Sequence, residues 1–356
     1  MKMNKKGRFR FGGFGSIAII LMLGVYFFIF PGSTQAVTLR LAHFAAETHP
    51  LHTAAVAFKK AVETQTNGDI KIEIYPNNTL GSTVEILEQI RTGAVDMTFN
   101  TTGQLLLWTK EAAAVQFPFI YEDLSHVYRV LDGEGGAALA NVAAQKGFRV
   151  LSYWDWGFRQ FTNSKRPINS PADVKGLKFR VPPEIPMEVA LKALDGIPAK
   201  IAWGELYMAL SQGVVDGEEN PINAIFHMKF YEHQKYISNV NYMYNPSIHL
   251  FSPETWAKLS DKNRSIIQGE SVKGRDYMRK LMAEEEASLI KKMKDYGCLF
   301  TQPDPAPFRE KMDFAIRQIG DYAGKEFSKE YLGIVGKYAK KDLTKAYLQK
   351  VIQTLK

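Results

Sequence analysis

The chain has 356 residues, of which 46% are hydrophobic and 23% are charged, so its length predicts two domains and its composition is that of a globular protein. The formal net charge is +8, but five Lys or Arg residues lie within the first ten residues. Removal of those five leaves +3, which argues against a nucleic-acid partner. Cys298 is the only cysteine, so an intrachain disulfide is excluded and a thiol enzyme would depend on that residue alone.

The first 36 residues have the three parts of a secretory signal peptide. A basic start is followed by an uncharged run at 17–30 and then by "PGSTQA", with Thr34 and Ala36 at positions −3 and −1 of a cleavage site. The run is shorter than the roughly 20 residues that a membrane-spanning helix needs. We therefore expect a periplasmic protein exported by a cleaved N-terminal signal peptide, with a retained membrane anchor as the alternative.

From Val37 to Gly103, strand and helix patterns alternate. "VTLRLAHF", "DIKIEIYP" and "AVDMTFNTTG" are predicted strands, and amphipathic helices separate them. This order of elements predicts a parallel sheet with helices on its faces. A helical region at 124–146 then leads to the predicted strand "FRVLSYWDW".

A second α/β unit begins near Gly157. It contains the predicted strand "GLKFRV", which ends at Arg180 before two prolines, and the predicted strand "AKIAW", which ends at Trp203. Residues 253–297 carry almost no helix breakers and predict one long helix or two nearly continuous ones. Further helices are expected from 304 onward.

Arg180 is the first candidate for a binding residue. Ligands of open α/β sheets bind beyond the carboxyl ends of the strands, and a guanidinium matches a carboxylate in bidentate geometry. The alternative is a structural ion pair with Asp173 or Glu184. The residues alone leave both interpretations open.

Four other residues are weaker candidates, and three of them have a structural alternative. Arg159, just after the end of a predicted strand, could supply a second cationic contact or be a surface residue in a turn. Trp203 could form a wall of a pocket or be a core or lid residue. Asn220, in "VVDGEENP", could bind a ligand oxygen or only its own backbone. Thr101 ends the third strand and could line the same cleft.

Signals for an enzyme are few. The sequence after residue 36 contains no H-E-x-x-H, C-x-x-C, G-x-x-x-x-G-K-[ST] or G-x-S-x-G motif. "GEGGAA" does not follow a predicted strand, so it is not interpreted as a dinucleotide site. Glu47, His49 and His52 lie close together but are interpreted as residues at a helix start. No cofactor and no metal are predicted.

Residues from about 37 to 325 resemble the solute-binding receptors of tripartite ATP-independent periplasmic (TRAP) transporters, the DctP family. The motifs that carry the resemblance occur in this order: "LRLAH", "IEIYPNNTLGS", "EILEQIRTGAVDMTF", "GFRQFTNSKRPINSPADVKGLKFRVP", "GELYMALSQGVVDGEENP" and "FYEHQKYIS". The resemblance implies an α/β fold of two domains joined by crossing strands, with a central ligand cleft and a long helix bridging both. Domain I would comprise 37–157 and about 246–285, and domain II 158–245 and about 286–356.

The resemblance also implies roles for particular residues. Arg180 would pair with a ligand carboxylate, Arg159 would be a second carboxylate contact and Asn220 would hydrogen-bond the ligand. Trp203 would flank the cleft where many relatives carry Phe, and His43 and Thr101 would face it. The ligands of such receptors include dicarboxylates, sugar acids, sialic acid, keto acids and aromatic acids, so the class of acid stays open.

The function so implied is that of a receptor which captures a small organic acid anion and delivers it to the TRAP membrane permease without chemistry on the ligand. One alternative is a periplasmic lyase or hydrolase that acts on an organic acid in the same cleft. Asp155 and Glu47 are the candidates for its general base. A second alternative is an extracytoplasmic sensor partner with the same fold.

Overall fold

The computed structural model describes residues 36–356, and the predicted signal peptide, apart from Ala36, lies outside them. The strands of the described residues form one sheet: β1 Val37–His43, β2 Ile70–Tyr75, β3 Met97–Thr101, β4 Arg149–Asn163, β5 Lys178–Val181, β6 Ile197–Lys200, β7 Gly217–Asn220, β8 Tyr236–Phe251 and β9 Leu299–Thr301. The α-helices are α1 Pro50–Gln65, α2 Thr83–Arg91, α3 Leu124–Leu131, α4 Glu134–Ala144, α5 Ile185–Ala193, α6 Leu206–Ser211, α7 Ile222–His227, α8 Pro253–Lys258, α9 Asp261–Tyr296, α10 Pro305–Glu310, α11 Asp313–Ala323, α12 Lys325–Tyr338 and α13 Asp342–Thr354. No helix within this span has the length and hydrophobicity needed to cross a membrane.

The sheet has two parallel halves joined by two long antiparallel strands. Its order is β2-β1-β3-β8-β4-β7-β5-β6, with β9 paired to β8. The first half comprises β2, β1 and β3, and the second half comprises β7, β5 and β6. Strands β4 and β8 pair antiparallel from Arg149↔Phe251 to Asn163↔Tyr236. The α/β class and the alternation of strands and helices are therefore confirmed.

Strand β4 is longer than the sequence predicts. The predicted strand ends near Gly157, whereas β4 continues to Asn163. The register with β8 shifts between Trp154 and Gly157, and Gly157 has a φ of +120°, which side-chain-bearing residues rarely adopt. A bulge therefore bends the strand at this glycine without ending it.

Local signals define the ends of the helices that flank the sheet. Helix α2 begins with a capping box, in which Ser82 Oγ accepts from the Glu85 N–H and Glu85 Oε2 accepts from the Ser82 N–H. Helix α9 begins at a Ser260 cap that accepts from the Asn263 N–H, and it ends before Gly297, whose φ is +113°.

Helix α9 is the long helix predicted from the sequence, and it contacts β4 and helices that adjoin both halves of the sheet. It has 36 residues and packs against α1, β4 and α7. Gly274 permits the close approach to β4, since a Cβ at this position would lie 2.7 Å from the Trp154 ring. Farther along, Arg279 pairs with Asp132 and donates to the Tyr153 carbonyl.

The C-terminal helices also contact helices that adjoin both halves. Helix α11 packs against α5, and α12 packs against α3 and α4. The hydroxyls of Tyr121 and Tyr331 lie 2.7 Å apart in the core between these elements. The prediction of further helices beyond residue 304 is confirmed.

Candidate functional site

A cavity of about 150 Å³ lies at the carboxyl ends of β1, β3, β5, β6 and β7. We call it the Arg180 cavity. Its lining residues are Phe44, Ser82, Thr83, Val84, Asn100, Thr101, Gln104, Trp156, Arg159, Arg180, Pro182, Pro183, Glu184, Ala202, Trp203, Asn220 and Asn245.

Arg180 is the penultimate residue of β5 and is only 2% exposed. Its Nε donates to the Ile201 carbonyl at 2.9 Å, and its guanidinium lies 5.8 Å from the centre of the Trp203 ring. It forms no ion pair with any carboxylate of residues 36–356. Burial lowers the pKa of Arg180 to about 10, so the side chain is still charged at neutral pH. A buried cation that is not in an ion pair favours the binding of an anion.

The alternative of a structural ion pair for Arg180 is therefore wrong. The carboxylate of Asp173 accepts from backbone N–H groups of Asn169 and Ser170 in its own turn. The carboxylate of Glu184 accepts from Gln104 Nε2 and Gln116 Nε2. Both candidate partners are satisfied elsewhere.

Arg159 lies within β4 and not after its end, so the expectation of a position beyond a strand end and the alternative of a surface turn are both wrong. The side chain is buried and pairs with Glu219, with an Nη2–Oε1 distance of 2.9 Å. Tyr242 also donates to Glu219. Burial alone would lower the pKa of Arg159, but Glu219 raises it above its ordinary value. The charge of Arg159 is thus balanced within the protein.

Asn220 is the last residue of β7, so the expectation of a loop residue is wrong. Its strand pairs with β4 at Gln160↔Asn220. Asn220 Nδ2 donates to Glu218 Oε2 at 2.5 Å, and Asn220 Oδ1 accepts from Arg159 Nη2 at 3.2 Å. Burial raises the pKa of Glu218 to about 7. The amide of Asn220 is therefore held in one orientation at the cavity wall.

Three aromatic side chains form one wall of the cavity. The rings of Phe44 and Trp156 have centroids 4.6 Å apart, and Trp203 meets both rings edge to face. Trp203 Nε1 donates to the Phe44 carbonyl at 3.1 Å. Trp203 does not close a strand as expected, since β6 ends at Lys200 and Trp203 begins a 3-10 turn. Sequence reasoning missed Phe44 and Trp156, although each is an aromatic residue in or just after a predicted strand.

Thr101 and His43 differ in position. Thr101 lines the cavity, and its backbone N–H donates to Asn100 Oδ1. His43 does not line the cavity, because its ring is buried beside α1, with Nε2 3.1 Å from His52 Nδ1. Burial and the neighbouring His52 lower the pKa of His43 to about 3. The expectation that His43 faces the cleft is therefore corrected.

Glu184 is a cavity residue that sequence reasoning treated only as a partner for Arg180. Its Oε1 accepts from Gln104 at 2.6 Å, and its Oε2 accepts from Gln116 at 3.0 Å. A Cβ at residue 103 would lie 1.6 Å from Glu184 Oε2, so Gly103 makes the space for this carboxylate. Burial raises the pKa of Glu184. Its place directly after the two prolines that follow β5 could have indicated a cavity position.

The residues considered for catalysis do not line the Arg180 cavity. Asp155 lines a different cavity and accepts hydrogen bonds from the Tyr128 and Tyr244 hydroxyls. Glu47 is exposed. Cys298 is buried, and burial raises the pKa of its thiol to about 11. A general base or thiolate nucleophile from this set would not reach a ligand at Arg180.

His49 has a structural contact at the start of a helix. Its Nδ1 accepts from the Leu51 N–H at 3.1 Å and so caps α1, and its ring stacks on Trp156. The imidazole of His49 is therefore packed against Trp156 of the aromatic wall and does not itself line the cavity.

An α/β sheet of two halves, with a buried cation in a cavity at the carboxyl ends of its strands, is typical of a solute-binding protein. Residues 41–321 match the bacterial extracellular solute-binding protein family 7, DctP, and the chain belongs to this family. The prediction of the DctP family is thus confirmed, as is the α/β binding-protein fold. The family comprises receptors for transport and not enzymes.

Individual relatives agree with this assignment. The sialic acid-binding periplasmic protein SiaP of Vibrio cholerae is 33% identical over 291 residues, which cover 82% of this chain and 90% of SiaP. The C4-dicarboxylate-binding periplasmic protein DctP of Rhodobacter capsulatus is 30% identical over 322 residues, covering 90% and 95% of the two chains. A TRAP periplasmic solute-binding protein from Sulfitobacter sp. NAS-14.1, solved with β-D-galacturonate, superposes with a TM-score of 0.80 at 29% identity, covering 85% of this chain and 99% of that one.

Proposed function

We propose that this protein is an extracytoplasmic receptor that binds a small organic acid anion and delivers it to a TRAP-type membrane permease. The observation that carries the proposal is Arg180, a buried guanidinium at the cavity wall with no carboxylate partner among residues 36–356. An anionic ligand would supply the missing counter-charge through charge-assisted hydrogen bonds. Arg159, Asn220, Trp203 and Thr101 line the same cavity and are proposed as further ligand contacts.

The relatives support both the ligand class and the location. Those described above bind sialic acid, C4-dicarboxylates or galacturonate, and each of these ligands carries a carboxylate. SiaP and DctP are periplasmic proteins. We therefore propose a periplasmic location, reached by cleavage of the signal peptide at residue 36.

We further propose that ligand binding closes two domains over the Arg180 cavity. Domain I would comprise 37–157 and about 246–285, and domain II 158–245 and about 286–356. At the cavity, hydrogen bonds join the two proposed domains, among them those from Gln104 to Glu184 and from Trp203 to the Phe44 carbonyl. These bonds would form on closure and add to the bonds made by the ligand. Small-angle scattering should then give a smaller radius of gyration with ligand than without it.

A thermal-shift screen of residues 37–356 tests the binding proposal. The panel contains monocarboxylates, dicarboxylates, uronic acids and aromatic acids. Any acid that binds only the folded state must raise the unfolding temperature, and a hundredfold excess over Kd adds about 2.7 kcal/mol to the unfolding free energy. A panel in which no acid raises the unfolding temperature would contradict the proposal.

Mass spectrometry separates the receptor from the enzyme alternative. The acid that gives the largest thermal shift is incubated with the protein for a day and then recovered. A receptor returns the acid unchanged. Any time-dependent product that is absent from a sample without protein would favour a lyase or hydrolase.

A further inference from the structure

The charges that line the Arg180 cavity restrict the kind of acid that fits it. Of the lining residues, Arg159, Arg180 and Glu184 have ionisable side chains. Arg159 is neutralised by its bond to Glu219, which lies behind the cavity wall. Among residues 36–356, neither Arg180 nor Glu184 is in an ion pair, although the charge of Glu184 favours the charged form of Arg180.

Glu184 is held as an acceptor. Both of its oxygens accept hydrogen bonds from neutral amides, those of Gln104 and Gln116, and neither amide supplies a positive charge. The side chain is 2% exposed and is fitted against the backbone at Gly103. Each carboxylate oxygen can accept two hydrogen bonds, so each retains capacity for one more donor.

A second carboxylate on the ligand would be poorly accommodated. It would lose its hydration inside the cavity without gaining a cation, because Arg159 is already paired, and Glu184 would repel it. A ligand hydroxyl would be well accommodated, because it can donate a hydrogen bond to Glu184. The carbon skeleton of the ligand could pack against the apolar wall formed by the rings of Phe44, Trp156 and Trp203.

We infer that the ligand is a monocarboxylate with at least one hydroxyl group, whose carboxylate binds Arg180 and whose hydroxyl donates to Glu184. Glu184 is then a specificity-determining residue that selects against dicarboxylates. This inference rests on the proposed function and narrows its ligand class.

Calorimetry with acids matched in carbon skeleton tests the inference. One set is galactonate, galactarate and hexanoate, and a four-carbon set is erythronate, tartrate and butanoate. Within the set that fits the cavity, the hydroxylated monocarboxylate should bind at least tenfold more tightly than the dicarboxylate and the unhydroxylated acid. A dicarboxylate or an unhydroxylated acid that binds most tightly overturns the inference and leaves the proposed function standing. If no acid in either set or in the wider panel binds, the inference and the proposed function are both overturned.

Variants at residue 184 test the role of the carboxylate. Glu184→Gln should reduce the preference for the monocarboxylate over the dicarboxylate at least tenfold, because the negative charge is gone. Glu184→Asp retains the charge and should retain most of the preference, which separates a charge effect from a loss of packing. Glu205→Gln is the matched control, because Glu205 is exposed and does not line the cavity. An unchanged preference in folded Glu184→Gln would overturn the assigned role.

Discussion

Replacement of Arg180 by Met should separate ligand binding from folding. Met has a similar length and no charge, so Arg180→Met keeps most of the volume at the end of β5 and removes the guanidinium. Arg180 forms no ion pair with residues 36–356, and burial outweighs the attraction of nearby carboxylates, so its charge costs the folded protein stability. We expect acid binding to be lost and thermal stability to be retained or increased.

The loss in binding follows from removal of one partner of a buried charge pair. Such truncations cost about 2–5 kcal/mol, which corresponds to a decrease in affinity of about 30-fold to 4000-fold. A receptor with micromolar affinity would then bind in the high micromolar range or more weakly.

The gain in stability follows from the buried charge. Burial lowers the pKa of Arg180 from 12.5 to about 10, which corresponds to a cost of roughly 3 kcal/mol for holding the charge in the folded protein. For a base whose folded pKa is depressed, this cost is fully present below pH 10 and disappears as the pH rises through 12.5. Loss of the bond from the charged Nε to the Ile201 carbonyl offsets about 1.5–3 kcal/mol of the gain. The net expectation at pH 7 is an increase of about 0–1.5 kcal/mol, or up to a few degrees in unfolding temperature.

Two measurements on the same protein check this prediction. Thermal unfolding without ligand gives the change in stability, and calorimetry with the acid found in the screen gives the change in affinity. Arg317→Met is the control, because Arg317 is exposed and lies outside the cavity. If Arg180→Met unfolds several degrees below the wild type and still binds the acid within a few-fold, Arg180 is a structural residue and the reasoning is refuted.

Three further predictions concern the residues around the cavity and the long helix. Because burial raises the pKa of Glu218 from 4.5 to about 7, its carboxyl destabilises the folded protein increasingly as the pH rises from 4.5 and fully above pH 7. Glu218→Gln should therefore unfold at a higher temperature than the wild type at pH 8, and the difference in unfolding temperature should shrink toward pH 5. A difference that does not depend on pH would contradict the assigned cost of the Glu218 charge. Glu219→Gln removes the ion-pair partner of the buried Arg159 and should lower the unfolding free energy by about 3–5 kcal/mol. Urea titrations measure this change. The control Glu205→Gln should have almost no effect, because Glu205 is exposed. In α9, Gly274→Ala places a Cβ 2.7 Å from the buried Trp154 ring and should lower the unfolding free energy by about 1–3 kcal/mol. Gly269→Ala meets no atom within 4 Å and should raise the unfolding free energy by about 0.5–1 kcal/mol. Equal effects of the two changes would show that the contact with Trp154 is not tight.

Features with local causes were predictable from the sequence. The period-2 pattern of β2 and the absence of breakers across α9 depend on neighbouring residues, and both elements were predicted. The place of Arg180 at the end of β5 was predicted in the same way, from an apolar run that ends in two prolines. The motifs of the DctP family added the crossing strands, which no local pattern contains.

Features that depend on pairing between distant residues were not predictable. Asn220 is in a strand because β7 pairs with β4, whose facing residue is Gln160. That register also brings Arg159 beside Glu219, which lies 60 residues away along the chain. Neither the strand at Asn220 nor the ion pair of Arg159 follows from local composition. Sequence reasoning therefore placed Asn220 among turn residues and offered a turn as the alternative for Arg159.

The two arginines of the cavity differ in function because of one neighbouring carboxylate. Arg159 and Arg180 are both buried at the ends or bends of strands, but only Arg159 has Glu219 within bonding distance. The paired guanidinium bonds β4 to β7, whereas the buried charge of the unpaired one costs stability, a cost that the proposed anionic ligand would relieve. A ligand carboxylate at Arg180 therefore does two things at once: it forms charge-assisted bonds and it relieves the cost of the buried charge. The ligand should thus stabilise the folded protein strongly, which makes thermal unfolding a sensitive assay for this receptor.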